Sequence, residues 1–129
     1  MFNIFATLLA LSVLFALAAC DDDDGKEADK LGVGAQCTAT AECDEETQEC
    51  LLDFKGGYCG VKDCTGDVDC PGGSRCVAHD DGFNYCFLVC IDKAECNVNR
   101  DLDNESNCSS SIDFVDEPQD VKACIPPSN

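Results

Sequence analysis

Thiols dominate the chemistry this sequence could perform. Thirteen of its 129 residues are cysteine, against a single histidine, His79. Thiolate metal sites use C-x2-C knuckles or mixed Cys/His quartets. No C-x2-C occurs, and the closest pair, Cys86 and Cys90, is one residue wider. What remains is disulfide formation, which belongs to an oxidising compartment. Twelve cysteines follow Cys20, an even number, so each can pair and no nucleophilic thiol is left over. No metal and no cofactor is expected.

Two other groups of residues invite a chemical reading. Ser74, His79, Asp80 and Asp81 bring the side chains of a hydrolytic triad close in sequence. No G-x-S-x-G elbow surrounds the serine, and a lone histidine in a polar turn reads as an exposed side chain. Asn97, Asn99, Asp101 and Asp103 alternate as oxygen ligands do in a calcium loop. An EF-hand, however, needs glycine and glutamate where Leu102 and Cys108 stand, so the segment reads as a solvated loop. Asn104-Glu105-Ser106 and Asn107-Cys108-Ser109 match the glycosylation sequon, which matters only in a eukaryotic host. No catalytic residue is assigned, and the chain reads as a non-enzyme.

The elements that must position the thiols repeat. Cysteines fall at 37, 43, 50 and 59, then 64, 70, 76 and 86, then 90, 96, 108 and 124. The gaps are C-x5-C-x6-C-x8-C, C-x5-C-x5-C-x9-C and C-x5-C-x11-C-x15-C, each opening with the same x5 step. An apolar and an acidic residue precede every second cysteine: Ala41-Glu42, Val68-Asp69 and Ala94-Glu95. A tyrosine precedes the fourth cysteine twice, as Tyr58 and Tyr85. The fold class is therefore small and disulfide-rich, with little regular structure, short β-ribbons and three tandem four-cysteine units. Unit 1 spans 37–63, unit 2 spans 64–89, and unit 3 spans 90–129 with enlarged loops.

Phe83 to Ile91 is the best strand candidate, Tyr58 to Val61 its counterpart, and Thr40 to Glu49 holds at most a helical turn. The insertion in unit 3 should be a loop with one short element around Ile112 to Val115. Large apolar residues are sparse, while ordering each residue costs about 1.5 kcal/mol, so no unit should stand without its crosslinks. Four cysteines allow three pairings. Interleaving ties a unit together where sequential pairing leaves two separate loops, which favours Cys37–Cys50 with Cys43–Cys59, Cys64–Cys76 with Cys70–Cys86, and Cys90–Cys108 with Cys96–Cys124. The spacing resembles the cysteine-rich repeats of surface lipoproteins in predatory Gram-negative bacteria, and more loosely EGF-like and Dickkopf-like modules.

Residues 1–19 read as a signal peptide, because 2–19 carry no charge and end on small residues. Leu17-Ala18-Ala19-Cys20 resembles the lipobox of bacterial lipoproteins, although no Lys or Arg precedes the apolar run. The resemblance implies recognition of Leu17, Ala18 and Ala19, cleavage before Cys20 and diacylation of its thiol. An uncleaved helical anchor and an ordinary cleavage site are the competing readings. Lipidation of Cys20 also accounts for the odd cysteine count. Residues 20–36 follow as a lipidated cysteine and a flexible acidic tether.

All 26 acidic and 8 basic residues lie beyond Cys20, giving the mature part the full charge of -18. Such a surface repels nucleic acid and anionic lipid headgroups. The expected protein is a membrane-anchored lipoprotein of the bacterial cell envelope. It displays an acidic, disulfide-stapled binding or structural module, on the periplasmic or extracellular side, to an unidentified protein or glycan. The alternative is an inhibitor or accessory protein of an extracellular enzyme such as a protease.

Overall fold

The computed structural model describes residues 32–44, 46–117 and 119–129. The signal segment, Leu17, Ala18, Ala19 and Cys20 lie outside the described residues. Six disulfides staple a small domain of short antiparallel strands, and its one α-helix among the described residues has four residues. In every unit the first cysteine bonds the third and the second bonds the fourth. The pairs are Cys37–Cys50, Cys43–Cys59, Cys64–Cys76, Cys70–Cys86, Cys90–Cys108 and Cys96–Cys124. Bonded Cα atoms stand 5.4 to 6.0 Å apart, within the span a disulfide can bridge.

Each unit is an opening turn clamped onto a pair of antiparallel strands, a hairpin in units 1 and 2. In unit 1 the hairpin is β1 (Glu49–Cys50) and β2 (Cys59–Gly60), with Cys50 opposite Cys59. In unit 2 it is β3 (Ser74–Ala78) and β4 (Asn84–Cys90), with Cys76 opposite Cys86. In unit 3, β5 (Asn107–Ser109) pairs with β7 (Lys122–Ile125), with Cys108 opposite Cys124. Third and fourth cysteines are thus always cross-strand neighbours, and their bonds run outward to the opening turn. That turn is 3-10 at Thr40–Glu42 and Asp67–Asp69, and becomes α1 (Lys93–Cys96) in unit 3.

The acidic residue before each second cysteine closes the turn. Glu42 accepts hydrogen bonds from the Thr38 backbone and hydroxyl, Asp69 from those of Thr65, and Glu95 from the Ile91 backbone. The Thr38 and Ala39 bonds hold the Glu42 carboxyl below its ordinary range, and the Thr65 bonds do the same for Asp69.

The units are not separate beads. One core joins Val33, Leu51, Phe54 and Tyr58 to Val77, Tyr85, Phe87 and Leu88, and to Cys96, Ala123 and Cys124. The residues preceding the fourth cysteines, Tyr58, Tyr85 and Ala123, are all fully buried there. Phe54 packs edge-on to Tyr58, Tyr85 and Phe87, with ring centroids 5.0 to 6.0 Å apart. Burying aromatic surface in one shared core answers the apolar shortage that each unit alone would face.

Residues 32–36 correct the boundary of the tether. Val33 is fully buried, the Gly34 N–H donates to Cys59 O, and Gln36 N–H donates to Asn99 O. A single valine among glycines carries little compositional signal, yet it fills the core and starts the folded module before Cys37.

The remaining strand, β6 (Asp113–Phe114), falls where a short element was expected. Phe83 to Ile91 becomes β4, the middle of a five-stranded sheet ordered β5-β7-β4-β3-β6 rather than half of a ribbon. Laid flat, such a sheet would separate its edges by about 19 Å. Three residues, 110–112, connect β5 to β6 and can span only about 14 Å. The sheet therefore bends along β4, which pairs with β3 through Asn84–Leu88 and with β7 through Val89–Cys90.

Candidate functional site

The bend leaves a cleft between units 2 and 3. It encloses about 140 Å³ and is lined by Val77 and Ala78 at the end of β3 and by His79 and Asp80 beyond it. Ser109, Ser111, Ile112 and Asp113 supply the opposite wall, with Ile125 of β7. Four of these nine residues come from the gap between Cys108 and Cys124, the part of unit 3 that departs from the repeat. Insertions into a repeat collect as loops on one face, often the binding face.

Both walls are held firmly. The insertion is docked on unit 2: Asp116 accepts from the Asp67 N–H at 2.8 Å, and Gln119 donates to Asp67 at 2.8 Å. Gln119 also accepts from Arg75 Nε at 3.0 Å. On the other wall, the β3–β4 turn is locked by Asp81, which accepts from the Phe83 N–H at 3.0 Å and the Tyr85 hydroxyl at 2.8 Å. Burial alone would raise the Asp81 carboxyl. The bonds from Phe83, Tyr85 and His79 outweigh it and hold the group below its ordinary range.

His79 is not the exposed turn residue its sequence context suggests. Its side chain is 12% exposed, with Nδ1 3.2 Å from Asp81 Oδ1. The ring meets Phe54, Tyr85 and Phe87 edge-on at 5.4, 5.6 and 5.9 Å. Aromatic neighbours from two units create this packing, which local sequence does not reveal.

The triad-like residues do not come together. Ser74 opens β3, is buried, and donates its hydroxyl to Pro71 O at 2.6 Å. His79 lies past the other end, about 17 Å away along a strand. Asp80 lines the cleft, whereas Asp81 is committed to the turn.

Nor do the four alternating oxygen residues converge on a cation. Asn97 bonds Lys93 O and both backbone groups of Ser106, while Asp101 accepts from Gln36 Nε2. Between them Arg100, only 8% exposed, donates to the carbonyls of Gly34, Lys55, Gly57 and Asn104. Burial lowers its pKa, which the neighbouring Tyr58 partly offsets. The segment is a clasp that holds unit 3 onto unit 1 through the Arg100 guanidinium. Gly57 carries part of that clasp at φ +71°, and a Cβ there would lie 2.1 Å from Cys37 O.

Three sulfurs in each unit lie within 4.8 Å of one another: Cys37, Cys43 and Cys59; Cys64, Cys70 and Cys86; Cys90, Cys96 and Cys108. All are bonded in disulfides and offer no thiolate to a metal. No helix among the described residues is long and apolar enough to cross a membrane. No known protein family, curated protein or solved structure matches this chain.

Proposed function

We propose that the protein is a bacterial envelope lipoprotein, held to a membrane through lipid on Cys20, whose folded module binds a partner rather than catalysing a reaction. The observation that carries this reading is Leu17-Ala18-Ala19-Cys20 closing an uncharged apolar run just before an acidic segment. A fully paired disulfide framework supports export to an oxidising compartment. The charge of -18 disfavours nucleic acid and leaves a protein or glycan of the envelope as partner. The cleft with its braced walls is the surface best suited to that partner.

The test is metabolic labelling with palmitate in a bacterial host. The wild type should take up label, while Cys20→Ala should remain unlabelled and leave the membrane fraction. Equal labelling of the two proteins would refute lipidation at Cys20.

A further inference from the structure

We propose that units 2 and 3 are each a two-step disulfide relay, in which a dithiol reduces the half-buried bond and a thiolate it leaves behind opens the buried bond beside it. This goes beyond the reading of the module as a binding unit and does not depend on it. Two observations meet in it.

The first is unequal access. In unit 2, Cys64 and Cys76 are 2% and 0% exposed, so their bond is closed to a reagent in solution. The other bond contains Cys70, which is half-buried and follows the opening turn. Unit 3 exchanges the roles of the two bonds. There Cys96 and Cys124, 2% and 0% exposed, form the closed one. Half-buried Cys108, on the edge strand β5, gives access to its bond with Cys90. Exchange requires access to the sulfur under attack.

The second is which sulfurs converge. Cys64, Cys70 and Cys86 lie within 4.8 Å of one another, as do Cys90, Cys96 and Cys108. Each trio holds both sulfurs of the accessible bond and one sulfur of the closed bond. The closed bond contributes its first-cysteine sulfur in unit 2 and its second-cysteine sulfur in unit 3, so the arrangement follows access and not position in the repeat. In unit 1 both bonds contain a half-buried cysteine, Cys50 and Cys43, and neither needs a relay.

The steps balance in atoms and electrons. In unit 2 one thiolate of the dithiol attacks Cys70 Sγ, the Cys70–Cys86 bond breaks, and Cys86 leaves with the electron pair. The second thiol loses its proton to water and attacks the first, which closes the reagent as a disulfide and frees Cys70. Two electrons have entered the unit. The Cys70 thiolate then attacks Cys64 Sγ, a Cys64–Cys70 bond forms, and Cys76 leaves as a thiolate that takes a proton. That step is an exchange without net electron transfer. A thiolate already held beside the bond outpaces one that must diffuse to it. The new bond again contains half-buried Cys70, so a second dithiol can reduce it in turn. In unit 3 the Cys108 thiolate attacks Cys96 Sγ, releases Cys124 and leaves Cys96–Cys108.

The experiment treats the full chain in a polyoxyethylene detergent, with free thiols blocked beforehand, with limiting dithiothreitol at about pH 8, where thiolate is present. Acidic N-ethylmaleimide stops the exchange, and peptide mapping locates label and bonds. Molecules labelled at Cys76 and Cys86 with Cys64 joined to Cys70 should appear, together with molecules labelled at Cys90 and Cys124 with Cys96 joined to Cys108. Label confined to Cys70 and Cys86 with Cys64–Cys76 intact overturns the proposal. So does rearrangement that joins one unit to another, which is the mark of unfolding. In a Cys70→Ser, Cys86→Ser variant with wild-type near-ultraviolet circular dichroism, Cys64–Cys76 should outlast its wild-type counterpart by about tenfold. Equal lifetimes refute the relay, and if that variant does not fold, the wild-type map decides alone.

Discussion

Thr65 gives both its backbone N–H and its hydroxyl to one carboxylate oxygen, Oδ2 of Asp69, at 2.8 and 2.7 Å. The bonds span the x5 loop of unit 2 and fix the turn that carries Cys70. In unit 1 Thr38 divides the two donors between Glu42 Oε2 and Oε1, and in unit 3 Ile91 N–H bonds Glu95 Oε2 at 2.6 Å. Both Asp69 and Glu42 have pKa values lowered by these bonds. Their stabilisation is therefore present above the ordinary carboxyl range and is lost as pH falls through the depressed folded values. Guanidinium unfolding followed from pH 6 to pH 2 should show an acid limb that flattens in a Glu42→Gln, Asp69→Asn variant. An unaltered acid limb would rule out these carboxylates as its source.

Arg100 should be the most costly surface-loop residue to replace. Arg100→Met leaves the carbonyls of Gly34, Lys55, Gly57 and Asn104 without their donor, and should destabilise by about 3 kcal/mol or more. Arg100→Lys keeps the charge but loses the planar fork, so it should recover only part of the loss. Equilibrium unfolding of the two variants checks both the size and the order.

Neither of the two tyrosines should ionise near pH 10. Burial pushes the Tyr58 phenol up to about 12, against the smaller opposing effects of Leu88 N–H and Arg100. Burial and the bond to Asp81 raise Tyr85 as well. Because the unfolded phenols ionise first, stability should be intact below pH 10 and decline above it. Absorbance at the phenolate band, recorded beside circular dichroism, should rise only as the fold is lost. A normal titration in the folded protein would contradict their burial.

All twelve cysteines beyond Cys20 should resist alkylation under denaturing, non-reducing conditions, and peptide mapping should return the interleaved pairs of each unit. Each bridge typically contributes about 2–4 kcal/mol, compared with about 5–15 kcal/mol for a whole domain, so reduction should unfold the module. Reactive thiols in the untreated protein, or a bridge between units, would contradict the framework.

Cysteine spacing made the fold class legible because a fixed gap pattern constrains a chain this short more than its few apolar residues do. The flanking Glu42, Asp69 and Glu95 were visible as a pattern, although their hydrogen-bonding role needed coordinates. The shared core was not legible. It joins Val33, ahead of unit 1, with Leu88 of unit 2 and Ala123 of unit 3, and no local periodicity encodes that. The cleft was hidden for the same reason. Ser109, Ser111 and Asp113 lie in a polar insertion that reads as solvated loop, and the pairing of β6 with β3 and the bend along β4 bring them to His79 and Asp80.

The opposed pairs Cys50 and Cys59, Cys76 and Cys86, and Cys108 and Cys124 have a consequence for how the molecule matures. A hairpin closes in microseconds, whereas thiol–disulfide exchange takes seconds or longer. Units 1 and 2 therefore bring the wrong two thiols face to face before the opening turn arrives. Early oxidation there would trap a cross-strand bond, which must be broken before the finished connectivity can form. In an oxidising host, yield should then follow the supply of a disulfide isomerase more closely than the supply of oxidant.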